Sequence, residues 1–307
     1  MKAIGIKMVD LQSMTANEAI EKGYKTNNYT GETIKQEDIE RFIAKESVTT
    51  AGSKNTVVTL TTITGFEANC ISSCIKPENY DANIAYENAT EAFEDLYGFI
   101  MGQGIYTNVG TKAVYNVGFY ILDPEQRVIT TEWRKFSEKY AEREFAWYMS
   151  GDRSVAEIKK YAPMWDKMHG GDNIVNSNYG WQWTRNGQLA KCIEQLKENK
   201  DTRQAWFTIF DGKEKDDYKY DTPCTLSVGF DIKPQIGTLD MCVTMRSNDL
   251  VYGFCNDQYC WTKLQQLVAD ELGVPIGTYY HFAHDLHIYK RHFDMQEKYY
   301  KQQLKNL

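Results

Sequence analysis

The sequence predicts an α+β fold built in layers. Three observations carry this. Alternating or β-branched stretches recur along the chain. Amphipathic stretches of helical period separate them. The chain has 307 residues, 42% hydrophobic and 25% charged, enough to enclose a large core.

Residues 1–86 read apart from the rest, as a small α+β module. Residues 2–9 alternate weakly, like a short strand. Residues 15–22 and 36–45 read as helices, the first with Thr15 as a cap ahead of Ala-Asn-Glu. Residues 56–63 are β-branched and read as a strand. Gly65-Phe66-Glu67, Ser72-Ser73-Cys74 and Pro77-Glu78-Asn79-Tyr80-Asp81 follow, with no catalytic cluster among them.

Residues 87–307 form the second expected domain. Residues 92–102 are an amphipathic helix, with Phe93, Leu96, Tyr97 and Ile100 on one face and a glycine at its end. Residues 112–122 alternate as a strand. Residues 131–150 read as one long helix, apolar at Trp133, Phe136, Tyr140, Phe145 and Trp147. Residues 188–199 predict another helix, and 203–210, 225–232 and 239–246 predict strands. Residues 258–272 close the series as a helix with Trp261, Leu264, Leu267, Val268 and Leu272 on one face.

The formal net charge of −7 argues against polymeric nucleic acid as a partner, which calls for a basic face. A mononucleotide needs only a few local arginines. The seven cysteines are odd in number and form no C-x-x-C pair, a pattern of reduced thiols. No apolar run reaches the length of a membrane span, and Met1–Asp10 lacks a signal-peptide core. The expectation is a soluble cytoplasmic protein.

The chemistry concentrates late in the chain. Cys224 lies in Asp221-Thr222-Pro223-Cys224-Thr225, ahead of an apolar strand. Met245-Arg246-Ser247-Asn248-Asp249 and Gly253-Phe254-Cys255-Asn256-Asp257 follow, then Asp285-Leu286-His287-Ile288-Tyr289. A thiol, an arginine, a carboxylate and a His/Tyr pair in that order resemble the thymidylate synthase superfamily, and within it the phage deoxycytidylate hydroxymethylases. The resemblance spans residues 87–307. The segment 65–86 resembles a small phage-protein family, which suggests a phage gene and action in a host cytoplasm.

The resemblance implies a large mixed sheet with helices, packed as a homodimer with shared active sites. It implies 5,10-methylenetetrahydrofolate as co-substrate, a pyrimidine nucleoside monophosphate as substrate, and no metal. Cys224 takes the nucleophile's position. A thiolate added at C6 makes C5 able to attack an electrophile. Read alone, Cys224 is as well explained as a buried apolar thiol. Arg246 matches a residue touching both phosphate and cysteine, and is expected to lower the thiol's pKa. Ser247 matches a phosphate ligand, and Arg203 an arginine reaching the partner's phosphate. Two family cations are replaced, by Gln204 and Asn108.

Asp257 stands where synthases carry the asparagine that reads uracil. A carboxylate suits cytosine better: it accepts from N4–H2 and pairs with a proton on N3. Asp257 also reads as an N-cap for the helix beginning at Gln258, and a slip of one residue would put Asn256 at the base. Glu144 matches a proton-relaying glutamate. Tyr179 matches the tyrosine tied to loss of the C5 proton. Asp249 matches a pterin ligand, and Trp165 an aromatic wall of the folate pocket or, equally, core. His287 and Tyr289 match a pair binding the sugar 3′-hydroxyl, on one side of a strand at i, i+2. His281, His284 and His287 invite a metal reading. No helical pattern brings them to one face, so it is set aside.

Thr225 and Met245 stand where synthases carry His and Gln, which favours addition of water over hydride. The expected activity is deoxycytidylate 5-hydroxymethyltransferase, feeding a modified base toward DNA. A thymidylate synthase or deoxyuridylate hydroxymethylase is the alternative. A catalytically weak nucleotide-binding interaction protein is the third reading.

Overall fold

The computed structural model describes residues 84–212 and 220–305, together with two short strands near the N-terminus. The chain divides into two compact units, Met1–Ile75 and Lys76–Leu307. In the first, β1 (Gly5–Met8) pairs antiparallel with β2 (Thr56–Thr59), within the two expected strands. The expected helices at 15–22 and 36–45 and the segment 65–81 lie outside the described residues.

The second unit is built on one mixed sheet with strand order β3-β5-β10-β8-β7-β6. These are β3 (Ile84–Tyr86), β5 (Thr111–Ile121), β10 (Ile276–Tyr289), β8 (Leu239–Met245), β7 (Thr225–Ile232) and β6 (Trp206–Thr208). The short β4 (Ile105–Tyr106) pairs with β5, and β9 (Asn248–Asp249) pairs with β10. β10 runs antiparallel to β5 and parallel to β8, so the last strand in sequence lies inside the sheet. This is the expected α+β layering.

Helices cover one face. α1 (Ala89–Gln103) is capped by Asn88 and buries Phe93, Leu96, Tyr97 and Ile100, the stripe read from sequence. α2 (Glu138–Ser150) is shorter than the helix expected over 131–150. Lys135 takes a left-handed backbone with φ 51°, and Ser137 then caps the helix by accepting from the Tyr140 N–H. A left-handed residue cannot continue a right-handed helix, so the periodicity of residues 131–136 belongs to a packed turn. α3 (Tyr179–Thr184) and α4 (Gln188–Glu198) follow. α5 (Cys255–Leu272) begins three residues before the expected start, directly after a π-helical turn, Leu250–Phe254. α6 (Gln296–Lys305) packs Tyr299 on Tyr97 at 5.7 Å between ring centroids.

The opposite face of β5, β8 and β10 carries Tyr120, Cys242, Tyr280 and Phe282, which remain half-buried. No described helix is long and apolar enough to cross a membrane.

Candidate active site

Cys224 sits immediately before β7, and Arg246 immediately after the paired strand β8. The antiparallel register brings them together. The Arg246 backbone N–H donates to the Cys224 carbonyl at 2.9 Å, and Arg246 Nη2 lies 3.8 Å from Cys224 Sγ. The guanidinium is fixed there by donating to the Pro223 and Thr222 carbonyls at 3.0 and 2.7 Å. The expected lowering of the thiol pKa does not result. Burial pushes the Cys224 thiol up to about 11, and Arg246 only partly offsets this. The cation is in place, but loss of water around Sγ is the larger effect. Asp257, Asp221 and Asp249 add to the upward push.

Asp257 lies inside α5, two residues past its start, so it does not cap that helix. Its Oδ2 accepts from Asn248 Nδ2 at 2.8 Å. Burial pushes its carboxyl well above the usual range, and the charge of Glu144 adds to this. Asn256 turns elsewhere, donating to the Tyr252 carbonyl at 2.9 Å. Of the two registers, Asp257 is the one whose carboxyl feels Glu144 and whose charge reaches Cys224 and Tyr179.

Glu144 is buried on α2. Tyr148, one turn on, donates to Oε1 at 3.1 Å, while Oε2 has no hydrogen-bond partner. Burial raises its carboxyl to about 7, against the pull of the Tyr148 and Tyr140 hydroxyls. Tyr179 opens α3 and stacks on Trp261 of α5 at 5.2 Å and 23°. Tyr148 and Trp183 complete an aromatic block behind the carboxyls. That block explains the raised carboxyls, since it replaces water with rings.

The backbone of Gly180 allows the packing. A Cβ there would lie 1.5 Å from the Tyr148 carbonyl oxygen. Asn178 secures the same joint, capping α3 and donating to the Trp147 and Asp152 carbonyls, both at 2.9 Å.

Asp249 accepts from the Val251 N–H at 3.0 Å and pairs with Arg291 at 3.2 Å. As a half-buried carboxyl at the sheet's end it can take the amino and ring N–H groups of a pterin. Trp165 fits a ligand wall less directly. It is 8% exposed, stands edge-on to Trp147 at 4.8 Å, and donates to the Tyr140 hydroxyl at 3.0 Å. His287 Nδ1 lies 2.7 Å from Asp285, and the Tyr289 ring stands 5.0 Å away. Strand alternation sends His284 to the other face of β10 from His281 and His287. Ser247 is half-buried in the bend after Arg246.

Arg203 is the exception. It is exposed on the loop before β6. Ala205 of that loop bonds Phe230, six residues along β7 from Cys224, which is about 20 Å at strand rise. Gln204 and Asn108 are also exposed.

Sequence reasoning passed over Asn248, Asp221, Asn178 and Tyr148. Tyr148 had a signal, since i, i+4 spacing places it beside Glu144. Asn248 had none, because its partner is reached only through the π-helical turn.

A sequence model of the thymidylate synthase family matches residues 93–307. A model of the phage protein (N4 Gp49/phage Sf6 gene 66) family matches residues 34–105. Similar proteins include the deoxycytidylate 5-hydroxymethyltransferase of Enterobacteria phage T6, 32% identical over 208 residues, or 62% of this chain and 82% of that protein. The phage T4 enzyme of the same name is 31% identical over 208 residues, with the same shares. A thymidylate synthase of Streptococcus pyogenes is 27% identical over 180 residues, covering 56% of this chain and 64% of its own length. The solved structure of thermostable thymidylate synthase A from Bacillus subtilis superposes with a TM-score of 0.57 at 22% identity, covering 68% of this chain and 83% of that one.

Proposed function

The chain belongs to the thymidylate synthase family, the folate-dependent one-carbon transferases acting at C5 of pyrimidine nucleotides, and on that premise we propose that it is a deoxycytidylate 5-hydroxymethyltransferase. The observation that carries the cytosine assignment is Asp257: a carboxyl raised by burial and by Glu144, set near Cys224. A carboxyl raised in this way keeps its proton more readily than an ordinary one and, when protonated, can hand it to N3 of cytosine. The same residue type stands where a uracil reader needs an amide.

The residues divide the reaction as follows. Cys224 Sγ bonds to C6 and its thiol proton leaves through Glu144 and bound water. Asp257 gives its proton to N3, which draws electrons from the ring and favours that attack. Methylenetetrahydrofolate supplies the electrophilic one-carbon unit that C5 attacks. With the folate bound, Tyr179 would stand where water takes the C5 proton and passes it to the departing folate nitrogen, leaving an exocyclic methylene on the base. Water adds to that methylene, the Sγ–C6 bond breaks, and N3 returns its proton to Asp257. The sum is dCMP, methylenetetrahydrofolate and water giving 5-hydroxymethyl-dCMP and tetrahydrofolate. Glu144, with a carboxyl near 7 between the Tyr148 and Tyr140 hydroxyls, is suited to hold the water and relay protons. Thr225 begins β7 beside Cys224, where a smaller polar group than His leaves room for water.

Arg246 and Ser247 are assigned to the phosphate, His287 and Tyr289 to the sugar, and Asp249 to the pterin. Trp165 acts by holding the Tyr140 hydroxyl. The half-buried sheet face and the remoteness of Arg203 from its own Cys224 support a two-fold dimer in which Arg203 serves the partner's phosphate. The N-terminal unit, Met1–Ile75, is proposed as a separate phage-type module; the expected boundary at 86 moves back, because β3 (Ile84–Tyr86) pairs with β5 in the sheet of the catalytic domain.

Tritium release from C5-labelled dCMP and dUMP tests the reading. Release from dCMP with folate present, and a hydroxymethylated product by mass, is the expected result. Release from dUMP alone would make the enzyme a uracil-acting synthase or hydroxymethylase.

A further inference from the structure

A carboxylic acid is a symmetric reader. With its proton on one oxygen it matches the 3,4-edge of cytosine, and with the proton on the other it matches uracil. A neutral Asp257 alone would therefore discriminate poorly. We infer that Asn248 breaks this symmetry and is the positioning residue that makes Asp257 specific for an amino-bearing base, an inference that rests on the cytosine reading above.

Three observations lead there. Asn248 Nδ2 donates to Asp257 Oδ2 at 2.8 Å, so Oδ2 is held as an acceptor and the proton is confined to Oδ1. Asn248 is 2% exposed, yet its own Oδ1 is buried without a hydrogen-bond partner. Buried acceptors in that state are uncommon and costly. On this inference Asp257 Oδ2 and Asn248 Oδ1 form the acceptor side of the pair, and the single proton of Asp257 Oδ1 its donor side. A 4-amino group brings two N–H donors to the acceptor side and a bare N3 to the proton. A 4-oxo group would bring lone pairs to two acceptors, with N3–H facing a proton. Finally, Gly253 makes room for the contact. A Cβ there would stand 2.9 Å from Asn248 Nδ2 and 3.4 Å from Asp257 Oδ2.

The test is a double-mutant cycle read as the ratio of kcat/KM for dCMP over dUMP. Asn248→Ala should lower that ratio at least about tenfold, chiefly by raising dUMP use. It should also move the pH limb due to Asp257 to higher pH, because the carboxylate loses a donor. In an Asp257→Asn background, Asn248→Ala should leave the ratio nearly unchanged, since the two act as one unit. Asn248→Asp, of the same shape, repeats the measurement if the truncation does not fold. Gly253→Ala should reproduce the loss with Asn248 present. Equal loss on both nucleotides, additive to Asp257→Asn and with the pH profile unmoved, would overturn the inference. A wild type that prefers dUMP would instead overturn the hydroxymethylation of dCMP, while the cycle would still report whether Asn248 sets the preference.

Discussion

Asp221 and Ser177 are joined by two hydrogen bonds. The Ser177 N–H donates to Oδ2 at 2.6 Å and its hydroxyl donates to Oδ1 at 2.5 Å. The Asn176 N–H adds a third to the same carboxylate, at 2.7 Å. Three residues after Asp221 comes Cys224, and two residues after Ser177 comes Tyr179. One carboxylate therefore sets the distance between the thiol and the phenol.

Asp221→Ala should remove that clamp and leave two buried N–H groups unpaired, costing about 2–4 kcal/mol of stability. Turnover should fall more than about tenfold even where the variant is fully folded, because the reacting groups lose their register. Urea midpoints and kcat measured on one preparation check both; a stable variant with normal kcat would remove Asp221 from this role.

The Cys224 thiol, raised to about 11, should be a slow nucleophile in the ligand-free enzyme. Its alkylation by iodoacetamide, followed by peptide mass, should climb through pH ~8–10 without a plateau. Arg246→Ala should slow it further at each pH, since the offsetting cation is gone. A plateau below pH ~9 would show that Arg246 outweighs burial after all.

Glu144 offers a stability test with a definite sign. Its folded carboxyl lies near 7, above the unfolded value of 4.5. Between those values the native state binds more protons than the unfolded chain, so its contribution to stability is lost as pH rises through the window. Glu144→Gln should behave like wild type at pH ~4 and be more stable above pH ~7, by on the order of 3 kcal/mol at most. Its turnover should drop about 10²–10⁴-fold, since an amide cannot relay a proton. Paired urea titrations at both pH values decide the first point.

Asp257→Asn should weaken dCMP turnover and raise dUMP turnover. The ratio of specificity constants should shift roughly 10²–10⁴-fold, less than a fully rigid site would give because side-chain rotation and water rescue part of the wrong pattern. An unchanged ratio would leave Asp257 without a part in base selection.

Mixing inactive Cys224→Ser with inactive Arg203→Ala subunits should restore part of the activity if sites are shared across a two-fold axis. Each hybrid dimer would carry one site with both residues intact. No recovery, or a fully active monomer by light scattering, would end the shared-site reading.

How much of this was legible beforehand depended on the range of the interaction. Cys224 and Arg246 were legible because each sits in a local motif at a strand end, and hairpin register does the rest. Most of the face of α5 was legible from helical period, since Trp261, Leu264 and Val268 are buried, but Leu267, placed on the same face, is 43% exposed at the edge of the stripe. The helix expected over 131–150 failed at Lys135, whose left-handed backbone no propensity signals. The thiol's pKa was misjudged because a neighbouring cation can be read from a motif, whereas the burial opposing it comes from the whole fold. The Asn248–Asp257 contact was invisible because a π-helical turn offsets the spacing that an ordinary helix would give.

The place of β10 in the sheet also governs how the molecule comes into being. Its ten paired residues on β5 and six on β8 join segments more than a hundred and some forty positions apart in sequence. Such closures are paid for in chain entropy before they return any contact energy, and they slow folding. Until Ile276–Tyr289 inserts, β5 and β8 are open edges, ready to pair with another copy. The sugar-binding candidates His287 and Tyr289 arrive on that same strand. An incomplete chain is therefore prone to aggregate and unable to gain stability from nucleotide, whereas a bound nucleotide selects chains whose final strand is already in place.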